Sequence, residues 1–168
     1  MLSDPIVITA VAGSTTVAAI VDLKTRRIPN WLTFGVAAIG IAMATTHLDG
    51  MSPIGAVEGL AAGLLLMLPG HVIGRTGAGD VKLLAAVGTL LGPGSVAMAF
   101  LLSAIAGGVL AVLVAVRRGR LQQAIESTAT LVRTGGANAA EVESPSTNNR
   151  FAYAPAIAVG AVVAAVWL

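Results

Sequence analysis

The chain has 168 residues, of which 56% are hydrophobic and 11% charged, and its formal net charge is +2. A water-soluble core of this size cannot hide so much apolar surface, so the bilayer is read as the main solvent and residues 1–168 as a single membrane-embedded domain. Cysteine is absent, which excludes disulfides, thiol nucleophiles and thiolate metal sites and leaves carboxylates, hydroxyls, histidines and bases to carry any chemistry.

In chain order, Met-Leu-Ser-Asp-Pro lacks the basic n-region of a secretory signal, so the first apolar segment is read as a retained span over 5–21. Pro29 and Asn30 stop that helix, and Trp31 anchors the next, 31–47, at the interface. The third span, 54–73, carries Gly55, Gly59 and Gly63 at intervals of four, a face of missing side chains where another helix can approach closely. The fourth, 80–91, is too short to cross alone and ends at Gly92, Pro93 and Gly94. A fifth covers 95–116 and a sixth 152–168. The expected fold is therefore all-α and polytopic, with about six transmembrane helices. The loop 117–150 changes character: Leu121, Ala124, Ile125, Thr128 and Leu131 form the apolar stripe of an interfacial helix. Residues 135–149, rich in Gly, Ala, Ser, Asn and Pro, read as a flexible linker.

With the N-terminus outside, this count places every lysine and arginine on the cytoplasmic side, from Lys24, Arg26 and Arg27 through Arg75 and Lys82 to Arg150. Asp4 and Asp49 fall outside. The basic residues are read first as topological anchors, and no nucleic-acid partner is expected.

Acidic groups at membrane depth are costly and mark functional sites, which selects Asp22, Glu58 and Asp80. Asp22 ends the first span, where a carboxylate opposes the helix macrodipole and so is not explained as a cap. Asp80 follows Gly77, Ala78 and Gly79 and opens an apolar helix, where an Asp commonly caps free amides. An even number of crossings separates the two aspartates, so they share a membrane face in either orientation. Paired carboxylates suit peptide hydrolysis, because one ionised member activates water while a protonated partner donates to the scissile carbonyl. Glu58 lies near the outer end of its span, roughly 20 Å away at 1.5 Å per helical residue, and is read as packing or snorkelling. His47 and His71 fall at opposite ends of their spans, and neither a metal nor a cofactor is expected. Gly77, Gly79, Thr25 and Lys82 are expected to shape the site or meet substrate, the glycines by allowing close backbone approach and Thr25 by bonding Asp22 three residues away.

The strings Asp22-Leu-Lys-Thr-Arg-Arg-Ile-Pro-Asn30 and Gly77-Ala-Gly-Asp-Val-Lys-Leu-Leu-Ala-Ala-Val-Gly88 resemble the type IV prepilin peptidases, specifically the short forms associated with tight-adherence pili. Tyr153-Ala-Pro-Ala-Ile-Ala-Val-Gly160 is similar to the last membrane helix of that family. The resemblance implies that Asp22 and Asp80 are catalytic. It also implies that prepilin or pseudopilin precursors are the substrates, cut at the cytoplasmic face of the bacterial inner membrane. Longer relatives carry a cysteine-containing region linked to N-methylation; this chain has no cysteine, and methylation is not expected. Two other classes share parts of the pattern. A presenilin-like protease has the same Gly-x-Gly-Asp but pairs it with Tyr-Asp, whereas Val21 precedes Asp22. A small transporter or assembly subunit would also tolerate intramembrane acids.

Overall fold

A computed structural model describes residues 4–48, 50–73, 76–117 and 152–167. The amphipathic helix and linker expected in 117–150 lie, beyond Arg117, outside the described residues. Those described form helices and no strands: α1 (Pro5–Thr25), α2 (Asn30–Thr45), α3 (Pro53–Val72), α4 (Ala78–Arg117) and α5 (Ala154–Trp167).

Local chemistry accounts for the starts and stops. Asp4 accepts the Ile6 N–H at 2.9 Å and Pro5 occupies the first turn, where its missing N–H costs nothing. Ser52 does the same for α3 by accepting the Gly55 N–H at 3.0 Å, again ahead of a proline. At the far end of α1, Arg26 turns left-handed (φ 52°) and its N–H closes on the Asp22 carbonyl at 2.7 Å. The helix thus runs a turn beyond the expected limit at Val21, and Asp22 sits inside its last turn. It stops before Pro29, which is extended and opens α2 instead.

The expected fourth and fifth spans are continuous except at Gly92, whose φ of 75° and ψ of 173° are non-helical. A straight helix would hold Asp80 and Gly107 roughly 40 Å apart at 1.5 Å per residue. Tyr153 nevertheless interacts with both, lying against Gly107 and within range of the Asp80 charge. The two arms of α4 must therefore fold back on each other at Gly92. By length and composition, α1, α3 and α4 are long and apolar enough to cross a membrane, while α2 and α5 are shorter apolar helices.

The first arm of α4 is the axis of the bundle, with Leu83, Leu84, Ala85, Ala86, Val87 and Gly88 all buried. Helix α3 runs antiparallel to it on small residues. A Cβ on Gly59 would collide with the Gly88 carbonyl oxygen, and one on Gly63 would stand 2.6 Å from the Leu84 oxygen. Gly55 does not share this contact; its neighbour is Met51. Helix α2 seats Gly40 on Thr89, and α5 seats Gly160 on Ser103 and Ala99 of the second arm. The outside is the apolar surface: Leu23, Trp31, Phe34, Ile54, Leu65 and Leu101 are exposed. Large apolar residues cover the outside while the closest helix contacts rest on glycines, which suits a lipid solvent.

Candidate active site

The two strings singled out in the sequence meet at one end of the bundle, through two contacts and one electrostatic interaction. Gly79 in the first turn of α4 faces Ile28, its would-be Cβ standing 3.1 Å from the Ile28 Cβ. Lys82 Nζ donates to Asn30 Oδ1 at 3.0 Å, tying α4 to the start of α2. Between them the carboxylates of Asp22 and Asp80 come close enough for the charge of one to act on the other.

Asp22 is 6% exposed, a buried acid in a chain whose other buried polar residues are threonines and a serine among the described residues. Its Oδ2 accepts the Ala154 N–H at 3.3 Å. Ala154 is the first residue of α5, so the carboxylate sits at the positive end of that helix, on an amide that no intrahelical bond can satisfy. This offsets the unfavourable position of Asp22 in the last turn of α1.

Asp80 is half-buried in the first turn of α4. Its N–H donates to the Gly77 carbonyl at 3.0 Å, and its carboxylate accepts the Gly77 N–H in return. That reciprocal pair resembles a capping box, so the bland capping role holds for Asp80 alongside its approach to Asp22. A Cβ on Gly77 would stand 2.9 Å from Asp80 Oδ2, so a side chain there would press on the carboxylate.

The remaining candidates divide. Gly77 and Gly79 precede Asp80, and Lys82 follows it on the exposed face. Thr25 does not bond Asp22: its hydroxyl lies 2.9 Å from both the Val21 and the Arg27 carbonyl oxygens. The reason is local, because within a helix a threonine hydroxyl reaches the i−4 carbonyl more readily than an i−3 side chain. Glu58 is exposed on α3, next to the Gly59–Gly88 contact and two turns of α4 beyond Asp80. His47 is exposed at the opposite end of α2 from Asn30, and His71 bonds the Thr76 carbonyl at 2.9 Å. Among the described residues no cluster of acids and histidines is arranged to hold a metal.

Three residues were not assigned to the site from sequence: Asn30, which was read as part of a helix stop, Tyr153 and Ala154. All three fall inside the conspicuous strings, and Tyr153 is the only tyrosine in the chain. Ala154 contributes a backbone amide, which no side-chain pattern announces.

The architecture is that of an all-helical protein with membrane-spanning-capable helices and two interacting aspartates at the ends of neighbouring helices. The family model of the type IV leader peptidases matches residues 9–112, more than half of the chain, a stretch that contains both aspartates. The chain belongs to the type IV leader peptidase family. Neither a curated protein nor a solved structure matches it.

Proposed function

We propose that the protein is an aspartic endopeptidase of the bacterial cytoplasmic membrane that removes the short basic leader from prepilin-like precursors at the cytoplasmic face. The observation that carries this reading is the Asp22–Asp80 pair, assembled from opposite helix ends in a chain of the leader peptidase family.

Like-charge repulsion between neighbouring carboxylates favours a pair that keeps one proton. The ionised member takes a proton from water as the oxygen attacks the scissile carbonyl. The protonated member donates to the carbonyl oxygen, and a proton then passes to the departing amine as the tetrahedral intermediate collapses. These transfers balance without a metal or thiol. The site has the features for an extended segment beside Asp80: Gly77 leaves its backbone exposed, and Lys82 adds a cation on the open side. A small residue before the scissile bond would let the substrate backbone approach the pair.

In this reading the two arms of α4 count as separate crossings, giving six in all, with the N-terminus outside and both aspartates at the cytoplasmic mouth. The distribution of lysine and arginine supports that orientation. Reporters fused after Arg27 and within 135–149 should both report cytoplasm, and a periplasmic signal from either refutes it.

The function is tested by incubating the purified full-length protein with the pilin precursor from the same genome and identifying the new N-terminus by mass spectrometry. The wild type should cut on the cytoplasmic side of the apolar helix, and Asp22→Asn and Asp80→Asn should each lose about 10²–10⁴-fold in turnover. Cleavage inside the apolar helix would favour a presenilin-like protease, and full turnover in either variant would remove the paired-acid mechanism.

A further inference from the structure

The Tyr153 main chain starts α5: its carbonyl accepts the N–H groups of Ala156 at 3.0 Å and Ile157 at 3.1 Å. Its side chain is tied to a different helix. The phenol donates to the Ser103 carbonyl at 3.1 Å, while the Ser103 hydroxyl is engaged elsewhere, on the Ala99 carbonyl. The ring lies so close to Gly107 that a Cβ there would stand 2.5 Å from Cε2 and 3.2 Å from Cζ. Gly107 is buried and its missing side chain is the seat of the ring. One residue later, the Ala154 N–H holds Asp22.

We propose that Tyr153, seated on Gly107 and bonded to Ser103, is a positioning residue that fixes the first turn of α5 so that its leading amide holds the Asp22 carboxylate. The second arm of α4 thereby sets the placement of an acid carried by α1, although α1 and α4 touch each other little. Among the standard residues only proline at position 154 would remove the amide, and Pro155 supplies none, so with Ala154 in place the position of the whole turn determines whether Asp22 has a donor. The phenol also lies within range of the Asp80 charge, so displacing the ring changes the surroundings of both acids. A residue serving only to pack would lower stability in proportion to the area lost, without separating turnover from binding.

The kinetic arm of the test rests on the peptidase reading; a second arm does not. In the full-length protein in detergent, Tyr153→Ala should lower kcat by ~10–100-fold, the scale of a roughly 1 Å misplacement, with KM changed less than about twofold. Tyr153→Phe keeps the ring on Gly107 and should stay within about threefold of wild type. Gly107→Ala should lower kcat in the native background and add little in Tyr153→Ala, because the ring it displaces is already gone. A wild-type kcat in Tyr153→Ala, or additive losses in the double variant, overturns the proposal.

Independently of any cleavage, thermal unfolding of Asp22→Asn, Tyr153→Ala and their double variant should be non-additive, the Asp22 substitution mattering less once the amide is no longer held in place. Additive shifts overturn the proposal even in an active enzyme. Non-additive shifts in a protein that cleaves no precursor would sustain the positioning role and remove only the peptidase reading.

Discussion

Replacing Gly59 with alanine adds one methyl group where two backbones meet. That carbon would overlap the Gly88 carbonyl oxygen, stand 2.8 Å from the Gly88 carbonyl carbon and 2.9 Å from the Gly92 Cα. All three neighbours are backbone, so no rotamer change relieves the clash, and α3 must move away from the first arm of α4. Overpacking of this kind costs about 1–3 kcal/mol. Gly13 and Gly35 provide internal controls: both lie within helices and nothing stands within 4 Å of an added Cβ. Alanine there should be neutral or stabilise by about 0.5–1 kcal/mol, the ordinary helix preference. Unfolding of the three variants in mixed detergent micelles, followed by far-ultraviolet circular dichroism, should separate Gly59→Ala from the controls by at least about 1.5 kcal/mol. If Gly59→Ala were as stable as Gly13→Ala, the α3–α4 packing described above would be wrong.

Gly77→Ala should leave stability nearly unchanged but lower turnover by ~10–100-fold, because its Cβ would press on Asp80 Oδ2, measured by kcat on the precursor and thermal unfolding side by side. Thr25→Ala should keep wild-type cleavage within about threefold and cost about 0.5–1.5 kcal/mol of stability, since its hydroxyl serves main-chain carbonyls. His47→Gly should raise stability by about 0.5–1 kcal/mol, the relief of a left-handed φ of 54° at His47 less the greater backbone freedom that glycine loses on folding.

The helical class and the membrane setting were legible because composition and apolar segment length report on the solvent a chain folds in. The expectation that Asp22 and Asp80 share one end of the bundle came from crossing parity, and the charge of Asp22 does reach Asp80. Three things were not legible. The limit of α1 was set one turn short, because apolarity ends at Val21 while hydrogen bonding continues to Thr25, closed by a left-handed Arg26 that no residue preference for αL would suggest. Thr25 was oriented by helix spacing alone, which ignores the competing carbonyl behind it. The Ala154 amide was invisible because a backbone donor has no sequence signature, and its alignment with Asp22 depends on a contact between residues more than a hundred positions apart.

That amide also explains how a buried acid persists where the macrodipole of its own helix opposes it. An anion in the last turn of α1 meets the negative end of that helix, an interaction unfavourable by about 0.3–1 kcal/mol even when partly screened. The first turn of α5 presents the opposite pole and an unpaired N–H to the same carboxylate. Asp80 has the corresponding arrangement built into its own helix, at the start of α4 with the Gly77 N–H as donor. Each acid therefore stands at the positive end of a helix, one by position in the chain and the other by assembly. Only the second depends on tertiary structure, so loosening α5 should deprive Asp22 of its support while leaving that of Asp80 in place. The same dependence makes the pair incomplete until the last helix has docked, which ties the site to the finished bundle rather than to any single hairpin.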